Sequence, residues 1–129
     1  MASIFTKIIN GELPCYKILE DDLTISFLAL DQVKPGHTLV VPKIEVNHWY
    51  DTPRETLFRV QENAAKIAKA LSKVTDCPRV LTAAVGFEVP HYHLHLIPAW
   101  GISDLNFANG KRLPETEMKV LQQKIVAGL

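Results

Sequence analysis

The sequence contains few cysteines, no excess of charge of either sign and no long apolar run. Its 129 residues include two cysteines, Cys15 and Cys77, whose separation excludes a CxxC motif or a metal knuckle. Lys plus Arg and Asp plus Glu number 14 each, so no basic surface for DNA or RNA is predicted. No apolar run approaches the roughly 18 residues of a membrane-spanning helix. The first residues also lack the pattern of a signal peptide. We therefore expect a soluble, cytoplasmic protein without membrane or nucleic-acid partners.

The length and the order of the local patterns predict one domain of the α+β class. A chain of 129 residues fits a single domain, and no linker or internal repeat divides it, so the expected domain spans residues 1–129. Strand patterns cluster around one long helical pattern, and a second helical pattern ends the chain. These elements favour a mainly antiparallel sheet with one long helix and one C-terminal helix.

Capping residues mark the predicted helices. Ser3 is expected to cap a short helix that ends near Gly11. Thr52, Pro53 and Glu55 resemble a capping box with proline at the first helical position. The long helix after them has apolar side chains at steps of three and four, at Leu57, Val60, Ala64, Ile67 and Leu71. The last helix is predicted to open at Pro114.

Alternation of apolar and polar residues marks the strands. Residues 16–19 and 23–30 each read as a strand, the second with Thr24 and Ser26 on a solvent-facing side. Residues 37–41 form a more buried strand after the Pro35-Gly36 turn. Residues 80–85 read as an apolar central strand, and residues 92–97 as the strand after it.

Four histidines carry the chemistry of this sequence. His91, His93 and His95 alternate with Tyr92, Leu94 and Leu96, so the three imidazoles face one side of a strand and the apolar residues face the core. Imidazoles are poor packing residues because each buried nitrogen needs a partner. Three of them in strict alternation therefore indicate function. His37 is the fourth candidate, whereas His48 is expected at the surface.

Two functions fit such a row of imidazoles. A metal site would use neighbouring histidines about 6.5–7 Å apart, but the outer pair is about 13 Å apart and a further ligand such as His37 would be needed. The alternative is covalent catalysis at phosphorus, with His93 as the nucleophile and a histidine on either side to orient it and move protons. The bend at residues 86–90 would then aim backbone N–H groups at anionic oxygen, with Gly86 permitting the backbone geometry.

The run at residues 91–97 resembles the defining motif of the histidine triad (HIT) superfamily. Residues 3–9, 35–43 and 102–107 resemble further stretches of the family in the same order. The similarity covers nearly the whole chain and is greatest to the bacterial, Hint-like branch. It implies a five-stranded sheet that dimerises into a ten-stranded one. It also implies a homodimer that binds purine nucleotides and hydrolyses or transfers nucleotidyl groups at phosphorus–nitrogen or phosphoanhydride bonds.

The resemblance also assigns residues. It implies a nucleotidyl intermediate on His93, with His95 and His91 contacting the α-phosphate and His37 beside them. It places the nucleotide against a set of side chains from the first helix, the second strand and the bend, namely Ile4, Phe5, Ile8, Phe27, Ala29, Leu30, Gly86, Phe87, Glu88 and Val89. No cofactor or metal is implied, since the cysteines with which some relatives hold structural zinc are absent near residue 5.

Three positions depart from the family pattern and leave alternatives open. Ala29 stands where many members carry a ribose-binding Asp or Asn. Phe87 stands where a Gln usually follows the glycine, and Thr82 or Ala83 replaces a usual Asn. The leading expectation is a nucleoside phosphoramidate hydrolase. The alternatives are a dinucleoside polyphosphate hydrolase, as in the Fhit branch, and a purine nucleotide-binding protein with little turnover.

Overall fold

Five antiparallel strands form the central sheet of this chain, which a computed structural model describes over residues 2–129. The sheet strands are β1 (Lys17–Glu20), β2 (Thr24–Leu28), β4 (Thr38–Pro42), β5 (Arg79–Ala83) and β6 (Leu94–Ala99). They lie side by side in the order β1-β2-β4-β6-β5. The short strands β3 (Asp31–Gln32) and β7 (Lys111–Arg112) pair separately. The predicted α+β class with an antiparallel sheet is confirmed.

Helices cover both faces of the sheet and create two apolar clusters. The long helix α2 (Arg54–Thr75) and the C-terminal helix α3 (Glu115–Ala127) pack on one face, where Tyr92, Leu94 and Leu96 join the main core. The short helix α1 (Ile4–Ile9) covers the other face through Phe5. The predicted separation of the triad strand into an apolar face and a histidine face is therefore confirmed. Among residues 2–129, no helix combines the length and apolar character needed to span a bilayer.

Strand β2 has no solvent-facing side, which corrects the prediction for Thr24 and Ser26. Both side chains are fully buried. Thr24 and Ser26 face the side of α2 and α3, whereas Ile25 and Phe27 face α1. The Thr24 hydroxyl accepts a hydrogen bond from the Asn63 amide at 2.8 Å. Burial of Thr24 is tolerated because a neighbouring helix supplies a partner, and alternation alone cannot distinguish such a partner from solvent. The Ser26 hydroxyl, by contrast, is buried without a hydrogen-bond partner within residues 2–129.

Strand β5 lies at the edge of the sheet, so the prediction of a central strand at residues 80–85 was wrong. Among residues 2–129 it pairs only with β6, and its side chains are exposed or half-buried. An apolar run does not reveal how many neighbours a strand has, because position in the sheet depends on contacts distant in sequence.

The start of α2 also differs from the prediction. The helix begins at Arg54, and the Pro53 carbonyl accepts the first helical hydrogen bond from the Leu57 N–H at 2.8 Å. Thr52 makes no cap, because its hydroxyl donates to the His48 carbonyl at 3.2 Å and closes the preceding 3-10 turn (Trp49–Asp51). The predicted capping box is therefore wrong, although the helix and its apolar face are present.

Candidate active site

The four predicted histidines converge on the α1 face of the sheet. His37 lies immediately before β4 and His95 lies on β6, whereas His91 and His93 occupy the extended segment before β6. All four side chains are buried. The ring centroids of His93 and His95 are 4.8 Å apart, and those of His37 and His95 are 5.1 Å apart. His48 lies elsewhere and stacks on Tyr50.

Strand β6 is shifted from the predicted range of residues 92–97, and this shift affects the triad. Only His95 lies within the ladder, where it is opposite Leu39 of β4. Tyr92 instead donates its N–H to the Val46 carbonyl at 2.6 Å. The segment that carries His91 and His93 thus pairs with the loop after β4 rather than with the strand itself.

His91 is held at both ring nitrogens by protein atoms. Its Nε2 atom lies 2.8 Å from the Pro42 carbonyl oxygen, and its Nδ1 atom lies 2.6 Å from the Ser3 hydroxyl. A carbonyl oxygen only accepts, so Nε2 carries the proton and Nδ1 accepts from Ser3. No ring nitrogen of His91 is left for a ligand. These two bonds hold the ring between Ser3 and Pro42, and its contact with an α-phosphate stays a prediction.

His93 presents one ring nitrogen without a protein partner. Its Nδ1 atom donates to the His91 carbonyl oxygen at 2.7 Å. The proton is thereby fixed on Nδ1, and the Nε2 lone pair is available. Within residues 2–129 Nε2 has no hydrogen-bond partner and is not sealed from solvent. Burial lowers the pKa of His93 below its ordinary value of 6.5, so the ring is neutral and nucleophilic at neutral pH.

His37 and His95 form a second hydrogen-bonded unit. The Val33 N–H donates to His37 Nδ1 at 3.2 Å, which leaves the proton on His37 Nε2. That nitrogen lies 2.9 Å from His95 Nδ1, so the His95 proton is on Nε2. Burial, assisted by neighbouring histidines, lowers the pKa of His37 to about 4 and that of His95 to about 3. At neutral pH the site therefore offers a lone pair on His93 beside an N–H donor on His95.

Gln32 holds the turn that carries His37, and it was not among the residues predicted from the sequence. Its buried amide donates to the Ala29 and His37 carbonyls at 2.6 and 2.8 Å, and its Oε1 atom accepts from the Gly36 N–H at 2.8 Å. Gly36 has φ +105°, and a Cβ atom there would lie 3.2 Å from Leu71. The signal in the sequence was a glutamine shortly before a Pro-Gly turn. A single polar residue, however, gives no indication that its side chain is buried.

Part of the predicted nucleotide pocket comes together beside the histidines. Phe5 lies edge-on to His93 with ring centroids 4.8 Å apart, and to Phe27 at 5.6 Å. Ala29 shares this cluster, and Ile8 and Val89 pack against it. Ile4 and Leu30 are half-exposed and lie outside the cluster. The predicted pocket residues of the first helix and the second strand, with Val89, thus divide into an apolar floor that is buried or half-buried and two side chains at the surface, Ile4 and Leu30.

Comparison with known proteins identifies the family of this chain. The sequence pattern of the HIT domain matches residues 10–101. The chain belongs to the HIT family. It is 37% identical over 117 residues to an uncharacterized HIT-like protein of Borreliella burgdorferi, covering 85% of this chain and 84% of that one. It is 35% identical to the adenosine 5′-monophosphoramidase of Saccharomyces cerevisiae, covering 75% of this chain and 62% of the yeast protein.

Solved structures agree with the family assignment. A Hit-like protein from Bartonella henselae superposes with a TM-score of 0.86 at 32% identity, covering 98% of this chain and 96% of that one. The HIT fold, with its five-stranded antiparallel sheet and helices, is therefore shared over nearly the full length. The run His91, His93 and His95 lies within the matched residues 10–101.

The bend before the triad has the geometry that its glycine predicted. Gly86 has φ +78°, a conformation in which an L side chain is strained. Phe87 follows with 94% of its side chain exposed, so it does not pack beneath the loop. Glu88 is exposed as well, whereas Val89 contacts the apolar floor and accepts a hydrogen bond from the His91 N–H at 2.8 Å.

Phe107 covers the other end of the site. Its ring centroid lies 4.7 Å from that of His95 and 6.3 Å from that of His37. The ring belongs to the 3-10 turn Phe107–Asn109, which precedes β7 and is held near His37 by the β3–β7 pair. In the sequence, residues 102–107 show only a resemblance to the family. Contact between residues 95 and 107 depends on how the chain folds back after β6.

The metal interpretation finds no support in the side-chain arrangement. Among residues 2–129, no three His, Cys, Asp or Glu side chains converge in a way that would hold an ion. The hydrogen bonds described above occupy both nitrogens of His91 and His37, the Nδ1 atom of His93 and the Nδ1 atom of His95.

Proposed function

We propose that this HIT protein is a purine nucleotide-binding hydrolase that cleaves nucleoside 5′-phosphoramidates, or related nucleotidyl conjugates, to the nucleoside monophosphate. The observation that carries the proposal is the state of His93. Its Nδ1–H is tied to the His91 carbonyl at 2.7 Å, and its Nε2 lone pair is free. A neutral imidazole held in this tautomer is a competent nucleophile toward phosphorus.

The proposed first step forms a covalent nucleotidyl-histidine. The Nε2 lone pair of His93 attacks the α-phosphorus, and the phosphorus–nitrogen bond breaks with its electron pair going to the leaving amine. That amine takes its proton from solvent, because His95 is neutral and holds only one ring proton. The positive charge that develops on His93 is shared with the His91 carbonyl through Nδ1–H. The Nε2–H of His95 donates to a phosphoryl oxygen, where a preorganised donor stabilises developing charge.

The second step releases the product. Water attacks the phosphorus, the bond between phosphorus and His93 Nε2 breaks, and its electron pair returns to Nε2. The water proton passes to solvent, and the products are the nucleoside monophosphate and free His93. No oxidant, reductant or metal takes part in either step.

The apolar floor beside the triad supports a purine as the bound base. Phe5 and Phe27 present aromatic rings, and Ile8 and Val89 add aliphatic surface. A flat, largely apolar base gains from such a surface, and the exposed Ile4 and Leu30 would lose solvent exposure when it binds. The yeast relative, an adenosine 5′-monophosphoramidase, supports the same substrate class.

We also propose that the active protein is a homodimer joined along β5. This strand ends the sheet, and an unpaired edge invites pairing with a second copy. Beside it lies an apolar hollow of about 310 Å³, whose lining includes Trp49, Phe58 and Tyr92. Light scattering should give twice the 14.5 kDa chain mass. The Phe58→Lys variant should be monomeric, whereas Val120→Lys, at another exposed apolar position, should stay dimeric.

A small substrate panel tests the proposed function. Purified protein is incubated with an adenosine 5′-phosphoramidate, its guanosine counterpart and a diadenosine polyphosphate, and monophosphate release is followed. The proposal expects kcat/KM to be highest for a phosphoramidate. Faster cleavage of the polyphosphate would favour the second hydrolase class. Nucleotide binding without turnover of any substrate would make this chain a binding protein.

A further inference from the structure

A surface carboxylate is bound to the start of α1 in this chain. Glu45, in the loop after β4, accepts two hydrogen bonds through one oxygen, Oε1. The Ser3 N–H donates at 2.6 Å and the Thr6 hydroxyl donates at 2.7 Å. The Ser3 bond, assisted by that of Thr6, lowers the pKa of Glu45 below its ordinary value, so the acceptor is ionised at neutral pH. The carboxylate therefore fixes where Ser3 lies.

Ser3 connects this contact to the triad. Its hydroxyl oxygen accepts from the Thr6 N–H at 3.0 Å, which is the N-cap of α1. The same hydroxyl donates its proton to His91 Nδ1 at 2.6 Å. The hydroxyl thus accepts within the helix and donates its single proton to the active site.

His91 connects Ser3 to the proposed nucleophile, His93, through hydrogen bonds. With Nδ1 bound to Ser3 and Nε2–H bound to the Pro42 carbonyl, its ring has one tautomer and one orientation. The carbonyl of the same residue receives the Nδ1–H of His93. A continuous series of hydrogen bonds thus runs from Glu45 through Ser3 and His91 to His93.

We propose that Ser3 and Glu45 are positioning residues for hydrolysis, acting on the nucleophile through His91. This inference rests on the proposed function. Six residues are too few to form a stable helix alone, so α1 depends on its tertiary contacts. Because α1 also carries Phe5 and Ile8 of the apolar floor, the same contacts place the floor relative to His93.

A purely structural role would act through the helix cap, and substitutions at Ser3 separate the two roles. Glycine is nearly as good an N-cap as serine, whereas alanine is a poor one, so stability should fall more in Ser3→Ala than in Ser3→Gly. Both variants lack the hydroxyl that donates to His91. Positioning through His91 therefore predicts the same loss of kcat in both, about tenfold with KM changed less than twofold, and recovery in Ser3→Thr.

A second set of substitutions, with a matched control, tests Glu45. Glu45→Ala removes the acceptor and should lower kcat about fivefold. Glu45→Gln keeps an oxygen that accepts from both donors and should recover most of that loss. Glu62→Ala removes an exposed carboxylate of α2 that has no partner within residues 2–129, and it should retain wild-type kcat.

Nitrogen NMR of the histidine rings gives a readout that needs no turnover. His93 should show a single Nδ1–H tautomer in the wild type and a mixture of tautomers in Ser3→Gly. Wild-type kcat and a single tautomer in Ser3→Gly would overturn the proposal. A kcat loss confined to Ser3→Ala and proportional to its lower melting temperature would also overturn it. If the wild type hydrolyses none of the substrates, the proposed function fails, and the ring spectra alone decide the positioning role.

Discussion

The Nε2 atom of His37 donates its proton to the Nδ1 atom of His95 across 2.9 Å, between residues 58 positions apart in the chain. This bond fixes the remaining proton of His95 on Nε2, in a ring whose centroid lies 4.8 Å from that of His93. The Val33 N–H bond to His37 Nδ1 sets the direction of the whole series. The tautomer of His95, the proposed donor to the substrate phosphate, is thus set through His37 by the Val33 N–H.

Removing His37 should slow hydrolysis without abolishing nucleotide binding. In His37→Ala the His95 Nδ1 atom loses its donor, and both tautomers of His95 become available. We expect kcat to fall about tenfold or more while nucleotide affinity, measured by calorimetry, changes less than threefold. A buried acceptor left unpaired also costs about 1–3 kcal/mol of stability. His48→Ala, at an exposed histidine, is the control, and equal activity of the two variants would contradict the role of His37.

The buried neutral histidines should make the fold sensitive to mild acid. The pKa values of His37 and His95 are about 4 and about 3 in the folded chain and near 6.5 when unfolded. Below pH 6.5 the unfolded chain binds more protons, so stability falls as the pH decreases, by up to about 1.4 kcal/mol per pH unit for each histidine. Asp21, with a pKa of about 2, adds its loss only at lower pH.

Urea unfolding between pH 7.5 and pH 4.5 checks this dependence. The free energy of unfolding should be flat above pH 7 and decrease steadily below pH 6.5. In His37→Gln the slope over that range should be shallower, because one titrating group is removed. A wild-type stability that rises on acidification would contradict the burial of neutral imidazoles.

Hydrolysis should continue in the presence of a strong chelator. Hydrogen bonds to protein atoms occupy both nitrogens of His37 and of His91 and leave only the Nε2 atoms of His93 and His95 available. Two imidazole nitrogens are fewer than the three protein ligands of a catalytic zinc site. Turnover before and after treatment with the chelator is the measurement. Complete loss of activity, restored by added zinc, would favour the metal interpretation.

Phe87→Gln should raise activity. The resemblance to the family implies a Gln after the glycine, and Phe offers no hydrogen-bond donor to phosphate or leaving group. One well-placed donor is worth up to about 3 kcal/mol in the transition state, of which a reinstalled side chain recovers part. We expect kcat for a phosphoramidate to increase about three- to thirtyfold.

The exposure of Phe87 makes this substitution easy to interpret. With 94% of the side chain in solvent, replacement should leave the melting temperature unchanged. A lower kcat/KM at an unchanged melting temperature would show that the phenyl ring itself serves the substrate, and the idea of a missing donor would be abandoned.

The sequence predicted the face of each triad residue but not the hydrogen bonds of each ring. Alternation of His with Tyr92, Leu94 and Leu96 is a local property, and the structure confirms it. The difference between His91, with both nitrogens bound, and His93, with one free, depends on Ser3 and Pro42. Those partners are 88 and 49 positions away in the chain. No local pattern specifies such contacts.

The same limit explains the errors in the strands and the helix start. Burial of Thr24 depends on Asn63 of α2, and the edge position of β5 depends on the order of the whole sheet. The Thr52 hydroxyl donates to the His48 carbonyl of the preceding turn and therefore does not cap the helix. Gln32 and Phe107 were missed because their importance arises from contacts with His37 and His95 after folding.

The central claim is that His93 forms a covalent bond to the nucleotide. Mass spectrometry of protein quenched during turnover tests it most directly, with His93→Ala as the matched variant. We predict a nucleotidyl adduct on the peptide that carries His93, and in His93→Ala neither adduct nor turnover, with nucleotide binding retained. Absence of any adduct in a turning-over enzyme, or activity of His93→Ala within tenfold of the wild type, would contradict the account.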